Sequence, residues 1–236
     1  MAPAAPTRDA LSSPLPLLLV AMTLVTGLVD AFSYLVLGHV FVANMTGNVV
    51  LLGFALARAP GFSVAAPVIA IGWFGIGALA GGRIGMRFAH HRGHLLTIAV
   101  GLQSAFLATA VALAFISGNP IPDGYRYALI AVLAVAMGIQ NAAARKLSVP
   151  DLTTTVLTLT ITGIAADSTI VGGPGSRVGR RVVPVVAMLA GAVIGASLVL
   201  YVRMEIPLVI ALAVSATVAV TTRILGAADP HWVHPA

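Results

Sequence analysis

The 236-residue chain is 59% hydrophobic and 8% charged, with a formal charge of +6 and a mean hydropathy of +1.02. A soluble globular domain carries about 25% charged residues, so this composition cannot clothe a water-facing surface. The absence of cysteine excludes disulfides, thiolate metal sites and cysteine nucleophiles, and in so apolar a chain basic residues mark cytoplasmic loops, not a nucleic-acid surface.

Residues 1–14, rich in Pro, Ala and Ser, read as a disordered cytoplasmic tail. A first apolar run, Leu15–Leu37, continues past Asp30 and so reads as a retained span, not a cleaved signal. A short run follows at Val40–Ala57, then Pro67–Ile84, Leu95–Ser117 and Tyr125–Ala144. A second short run covers Leu152–Ala166, followed by Val182–Val202 and Ile206–Leu225, and residues 226–236 form a short C-terminal tail. Breaks at Ala59-Pro60-Gly61, 118–124, Val149-Pro150-Asp151 and 172–175 carry turn residues. The long runs match the ~20 helical residues that cross a ~30 Å hydrocarbon core. Barrel strands would alternate apolar and polar residues over ~10 positions, and no such alternation appears.

Charge decides how the eight runs are threaded. If all eight cross with the N-terminus inside, Lys and Arg divide seven inside to six outside, which is no bias. If the two short runs enter and leave on one side, only Arg58, Arg126 and Arg203 remain outside and ten basic residues lie inside. The positive-inside rule selects the second arrangement.

The chain also repeats itself. Gly27 and Asp30 match Gly138 and Asn141 at an offset of 111, Thr46 matches Thr158 at 112, and Gly77-x-x-x-Gly81 matches Gly191-x-x-x-Gly195 at 114. The predicted fold is therefore an all-α, polytopic helical membrane protein. It has six full spans plus two short re-entrant or half-helix segments, arranged as two inverted repeats, residues 15–118 and 125–225. In the first half, Asn44 or Thr46 is placed to cap a helix over 47–57, with residues 38–43 running in as extended chain. The second short run is less clean: after Pro150, a helix over 151–166 is long enough to span obliquely.

Asp30 is the leading candidate for function, because a charge inside a span costs ~2.5–3.5 kcal/mol even on the mildest insertion scale. Asn44, Thr46 and Asn48 form the second group, at a broken-helix tip where free N–H groups present a positive dipole end. Gln140 and Asn141, with Thr154 and Thr158 from the Thr-rich stretch 153–162, are the corresponding group of the second half. A two-fold relation predicts that Asp30 and Asn141 approach one another. For each of these residues the plainer reading is capping or interhelical glue. Gly77, Gly81, Gly191 and Gly195 permit close helix approach, packing within or between the repeats, and a homo-oligomer is left open. His90, His91 and His94, beside Arg83, Arg87 and Arg92, suit a basic loop touching anionic lipid better than a metal site.

Gly27-x-x-Asp30-Ala31, then Gly38, Phe41, Ala43-Asn44-Met45-Thr46-Gly47-Asn48 and Gly53, resembles the opening of the YoaK-like family of bacterial integral membrane proteins. The 138–142 stretch, Gly-Ile-Gln-Asn-Ala, resembles that family's second signature, although a Thr-Gly pair would be expected near Thr158-Leu159. The resemblance covers most of the chain and implies a multi-pass protein of the bacterial plasma membrane. It implies no substrate.

No phosphate-binding loop, zinc-protease helix, nucleophile elbow or dinucleotide fingerprint is present. The expected activity is a non-enzymatic one: a small-solute transporter or channel with a midplane polar site between the repeats. No catalytic residues, metal or cofactor are expected, and both termini are expected in the cytoplasm. The expected partners are the bilayer and a small solute or ion. The competing expectation is a non-transporting membrane scaffold or assembly factor.

Overall fold

The computed structural model describes residues 14–147, 157–167, 178–227 and 231–233. The expected N-terminal tail, the turn at 172–175, Thr154 and most of the C-terminal tail lie outside those residues. Among the described residues the regular structure is all helical, without strands. The helices are α1 (Leu15–Val36), α2 (Met45–Leu56), α3 (Ala65–Arg87), α4 (Arg92–Ser117), α5 (Asp123–Leu147), α6 (Leu157–Ala166), α7 (Val178–Tyr201) and α8 (Ile206–Gly226). Six of them are long and apolar enough to cross a membrane; α2 and α6 are not.

Local chemistry sets the ends. Proline in the first turn starts α1 and α8, where its missing N–H costs nothing. Asn44 caps α2 by accepting from the Gly47 N–H at 3.2 Å, and His91 Nδ1 caps α4 by accepting from the His94 N–H at 3.0 Å. At 1.5 Å per residue, α2 is only ~18 Å long.

The two short helices do not carry the chain across. After α1, Gly38 turns the backbone at φ +89°, a conformation that favours glycine. The His39 ring, just past the end of α1, lies 6.0 Å from the Phe62 ring, just past the end of α2, and Phe54 on α2 is 5.5 Å from Phe62. The excursion 37–62 therefore leaves and returns at one end of α1. Asp167, at the end of α6, pairs with Arg181 in the first turns of α7 at 2.6 Å, and α7 runs parallel to α1 and so antiparallel to α5, which a crossing at α6 would not allow.

Alternate crossing then puts Arg83, Arg87, Arg92, Arg145, Lys146, Arg181 and Arg223 at one end of the bundle. Arg58, Arg126 and Arg203 fall at the other.

Helices α1 and α5 form the centre: 67% and 61% of their most apolar stretches are buried, against 22–33% for the other four spans. Phe32, Leu28 and Val29 of α1 share one core with Leu129, Leu133 and Met137 of α5. These two helices run antiparallel. Arg126, at the start of α5, lies near Gly38 beyond the end of α1, while Gln140, late in α5, bonds to Met22 early in α1.

Each central helix is flanked by a parallel partner. On α3, Gly81 lies against Ile139 and Ala142 of α5; on α7, Gly195 lies against Leu28 and Ala31 of α1. Gly77 meets Val135 in the first interface and Gly191 meets Leu24 in the second. The pairs correspond residue for residue, at an offset of 111 from α1 to α5 and 114 from α3 to α7. Side chains larger than hydrogen would force these backbones apart. The remaining long helices, α4 and α8, pack on each other and on the central pair.

Candidate functional site

The sequence Phe41-Val42-Ala43-Asn44 enters the bundle as non-helical chain and ends at the first turn of α2. Two side chains hold it. The Asp30 carboxylate oxygen Oδ1 accepts the N–H groups of Val42 at 3.1 Å and Ala43 at 2.9 Å. Asn48, fully buried, uses both ends of its amide on one residue: Oδ1 accepts the Phe41 N–H at 2.9 Å and Nδ2 donates to the Phe41 carbonyl at 2.6 Å. The side chain thus substitutes for a neighbouring strand, satisfying backbone groups that cannot be left bare at this depth.

Gly47 completes the clasp, since a Cβ there would sit 2.7 Å from the Phe41 ring. That ring in turn stacks on Tyr34 of α1 at 4.9 Å, and His39 meets Tyr34 edge-on at 5.2 Å.

Asp30 is only 4% exposed and its second oxygen, Oδ2, has no hydrogen-bond partner. It lies six residues before the end of α1, or ~9 Å along the helix. Asn44 and Thr46 differ from it: both are exposed at the tip. One side of the tip is therefore bolted to the protein, while the other presents an amide and a hydroxyl outward.

The second-half candidates are arranged otherwise. Gln140 Oε1 accepts from Gln103 Nε2 of α4 at 2.5 Å, and its own Nε2 donates to Thr26 Oγ1 at 2.9 Å and the Met22 carbonyl at 3.2 Å. This buried network ties α1, α4 and α5 together. Asn141 turns back to donate to the Met137 carbonyl of its own helix at 2.8 Å.

Asn141 does not meet Asp30. The antiparallel register that sets Thr26 beside Gln140 puts Asp30 level with residues near 136 of α5, so Asn141 lies ~8 Å nearer the opposite end. The levels of the two halves coincide at Gly27 and Gly138 instead. Thr158 belongs to α6, and Thr154 lies outside the described residues.

A groove of about 1280 Å³ opens beside Asn141, between α3 and α5. Its described lining is apolar at Phe74, Leu79 and Met86, and basic at Arg83, Arg87, Arg145 and Lys146. Among the described residues no three His, Asp or Glu side chains gather as metal ligands. His91 and His94 instead stack at 3.7 Å at the start of α4.

Gln103 is the residue that sequence reasoning missed. A lone glutamine inside a long apolar helix is the available signal, and its partner, 37 positions away, is visible only in the fold.

A family model described as a protein of unknown function, DUF1275, matches residues 18–221. The UPF0700 transmembrane protein YoaK of Bacillus subtilis (strain 168) is 35% identical over 155 residues, covering 64% of this chain. The match spans 65% of that relative's length. No solved structure matches.

Proposed function

We propose that this chain, which belongs to the DUF1275 family of proteins of unknown function, is a small-solute transporter or channel of the bacterial plasma membrane. Its two halves sit in opposite orientations across the bilayer, with both termini in the cytoplasm on the arginine-rich side. The odd number of spans per half and the antiparallel course of α1 and α5 support the inversion. The bias of basic residues toward one end supports the orientation.

The observation that carries the transport reading is the tip at 41–46. Non-helical backbone at membrane depth is tolerated where protein buries it or where it lines a wet cavity. Asp30 and Asn48 bury one side of this tip, yet Asn44 and Thr46 remain exposed. Hydrocarbon is a costly neighbour for an exposed amide, so water or a polar solute is the better occupant of the space before them.

Asp30 then has two tasks. One oxygen anchors the tip, and the buried second oxygen is the one open to a proton or a cation. Hydrogen bonds to an ionised acceptor are about twice as strong as neutral ones. Neutralising Asp30 would therefore loosen Val42 and Ala43 and let the tip shift. Protonation and opening are coupled through the same carboxylate.

The test is proton flux in proteoliposomes, driven by a potassium diffusion potential and read with an entrapped pH-sensitive dye. The wild type should exceed protein-free vesicles, and Asp30→Asn, inserted to the same level, should fall to the protein-free rate. Equal flux from the two proteins would remove Asp30 from the coupling role.

The second reading is a non-transporting scaffold or assembly factor. It is favoured by the amides of Asn48, Gln140 and Asn141, all of which are spent on the protein's own groups. Under it, Asn44→Ala changes stability and leaves flux at the vesicle background in wild type and variant alike.

A further inference from the structure

The groove between α3 and α5 has a chemistry that neither the packing nor the transport reading uses. Arg83 and Arg87 lie four apart on α3 and so share a helix face. Arg145 and Lys146 close the neighbouring end of α5, and all four side chains are exposed. The Lys146 stem lies across Gly85, where a Cβ would come within 3.1 Å of its Cγ, so the glycine makes room for the lysine against α3. Below these cations the wall turns apolar at Leu79 and Phe74, and Met86 lies level with them between Arg83 and Arg87.

Among the described residues, no carboxylate pairs with Arg83, Arg87 or Lys146. The described carboxylates at the helix ends pair elsewhere: Asp123 with Arg126, Glu205 with Arg203, and Asp167 with Arg181.

Nor does the fold require the charge. The matching interface of α1 and α7 repeats the Gly77 and Gly81 contacts at Gly191 and Gly195, but the counterpart of Gly85 is Val199, and those of Arg83, Arg87, Arg145 and Lys146 are Ser197, Tyr201, Tyr34 and Leu35. The same helix packing is thus built with no cation at these positions, and the basic mouth is particular to one groove.

The geometry points to this groove as a binding site for an anionic diacyl phospholipid, its phosphate held by Arg83, Arg87 and Lys146 and an acyl chain laid along Leu79 and Phe74. The basic mouth lies at the end of the bundle where the positive-inside rule puts the cytoplasmic leaflet, and anionic lipids concentrate in that leaflet. An amphipathic groove with cations at the headgroup level and an apolar wall below matches a lipid. A free phosphate would leave the apolar wall unused. The inference rests on the orientation proposed above and does not require transport.

The experiment is native mass spectrometry of the purified full chain from mixed micelles of phosphatidylglycerol and phosphatidylcholine, with glycerol 3-phosphate as a competitor lacking acyl chains. Phosphatidylglycerol should be retained at least tenfold over phosphatidylcholine, and millimolar glycerol 3-phosphate should not displace it. Arg83→Gln/Arg87→Gln/Lys146→Gln should reduce retention to the phosphatidylcholine level.

Because that variant could disturb insertion, Gly82→Leu provides a second arm. Gly82 lines the groove and a Cβ there meets nothing within 4 Å, so leucine fills the acyl seat while every charge stays in place. It too should cut retention, whereas Arg58→Gln/Arg203→Gln at the other end should not. Equal retention of both lipids, insensitivity to Gly82→Leu, or displacement by glycerol 3-phosphate would each overturn the assignment.

Discussion

Gly27 of α1 and Gly191 of α7 meet backbone to backbone: a Cβ on Gly191 would lie 3.2 Å from the Gly27 Cα and overlap the Leu24 carbonyl. Gly138 of α5 and Gly77 of α3 repeat the relationship at the other interface, where a Cβ on Gly138 would fall 3.1 Å from the Gly77 carbonyl carbon. Backbone cannot yield as a flexible side chain can, so a larger residue must separate the helices.

The first prediction follows from that rigidity. Gly27→Val and Gly138→Val should each destabilise the protein in detergent by about 2–3 kcal/mol, the upper part of the usual overpacking range. Gly75→Ala on α3 is the control, since its added Cβ meets nothing within 4 Å. It should be neutral or slightly stabilising. Similar losses at all three positions in a denaturant titration would show that the glycines act through something other than close approach.

The second prediction concerns the clasp. Asn48→Ala removes the partners of both the Phe41 N–H and the Phe41 carbonyl. Leaving buried polar groups unsatisfied costs ~1–3 kcal/mol each, and Phe41 is only partly buried, so a total near ~2 kcal/mol is expected. Asn48→Asp should not rescue it, because the acid keeps an acceptor for the N–H but points a second oxygen at the carbonyl. Limited proteolysis should then cut in 37–44 before any helix, and wild-type resistance of that stretch would contradict the clasp.

Much of this site is legible in the sequence, and the part that is not has a physical cause. Asp30 stands out because charge is rare in an apolar span, and Asn44 because a cap has a local signature that the structure repeats at Gly47. The clasp of Asn48 on Phe41 leaves no such signature, since it joins a side chain to a backbone whose course is set by the reversal at Gly38. The alignment that sets Asp30 opposite Asn141 predicts a proximity that the register of α1 against α5 does not allow. Residues related by a two-fold coincide in depth only on its axis, at the level of Gly27 and Gly138. The α3–α5 groove is visible as charge in the sequence, but its apolar wall appears only once α3 lies parallel to α5.

The third prediction separates glue from function in the midplane network. Gln140→Leu strands Gln103 Nε2, while Thr26 keeps its bond to the Met22 carbonyl, so it should cost about 1–2 kcal/mol, as should Gln103→Leu. Removing both partners leaves fewer groups bare. The double variant should therefore cost clearly less than the sum, with a coupling of at least 0.5 kcal/mol in a double-mutant cycle. Strict additivity would mean that the 2.5 Å contact contributes nothing to stability.

The last prediction fixes the threading on which the inversion depends. The chain has no cysteine, so single thiols can be placed at Ala59 between α2 and α3, His90 between α3 and α4, and Asn119 between α4 and α5. If α2 returns to the side from which it left, as the meeting of His39 with Phe62 requires, then Ala59→Cys and Asn119→Cys lie outside and His90→Cys inside. An impermeant maleimide applied to intact cells should label the first two and spare the third until the membrane is permeabilised. A spanning α2 gives the opposite pattern, because every later loop changes sides: His90→Cys alone would label. The arginine-rich end would then face outward against the positive-inside rule. That outcome would invert the orientation assigned to both halves and place the α3–α5 groove in the wrong leaflet for anionic lipid.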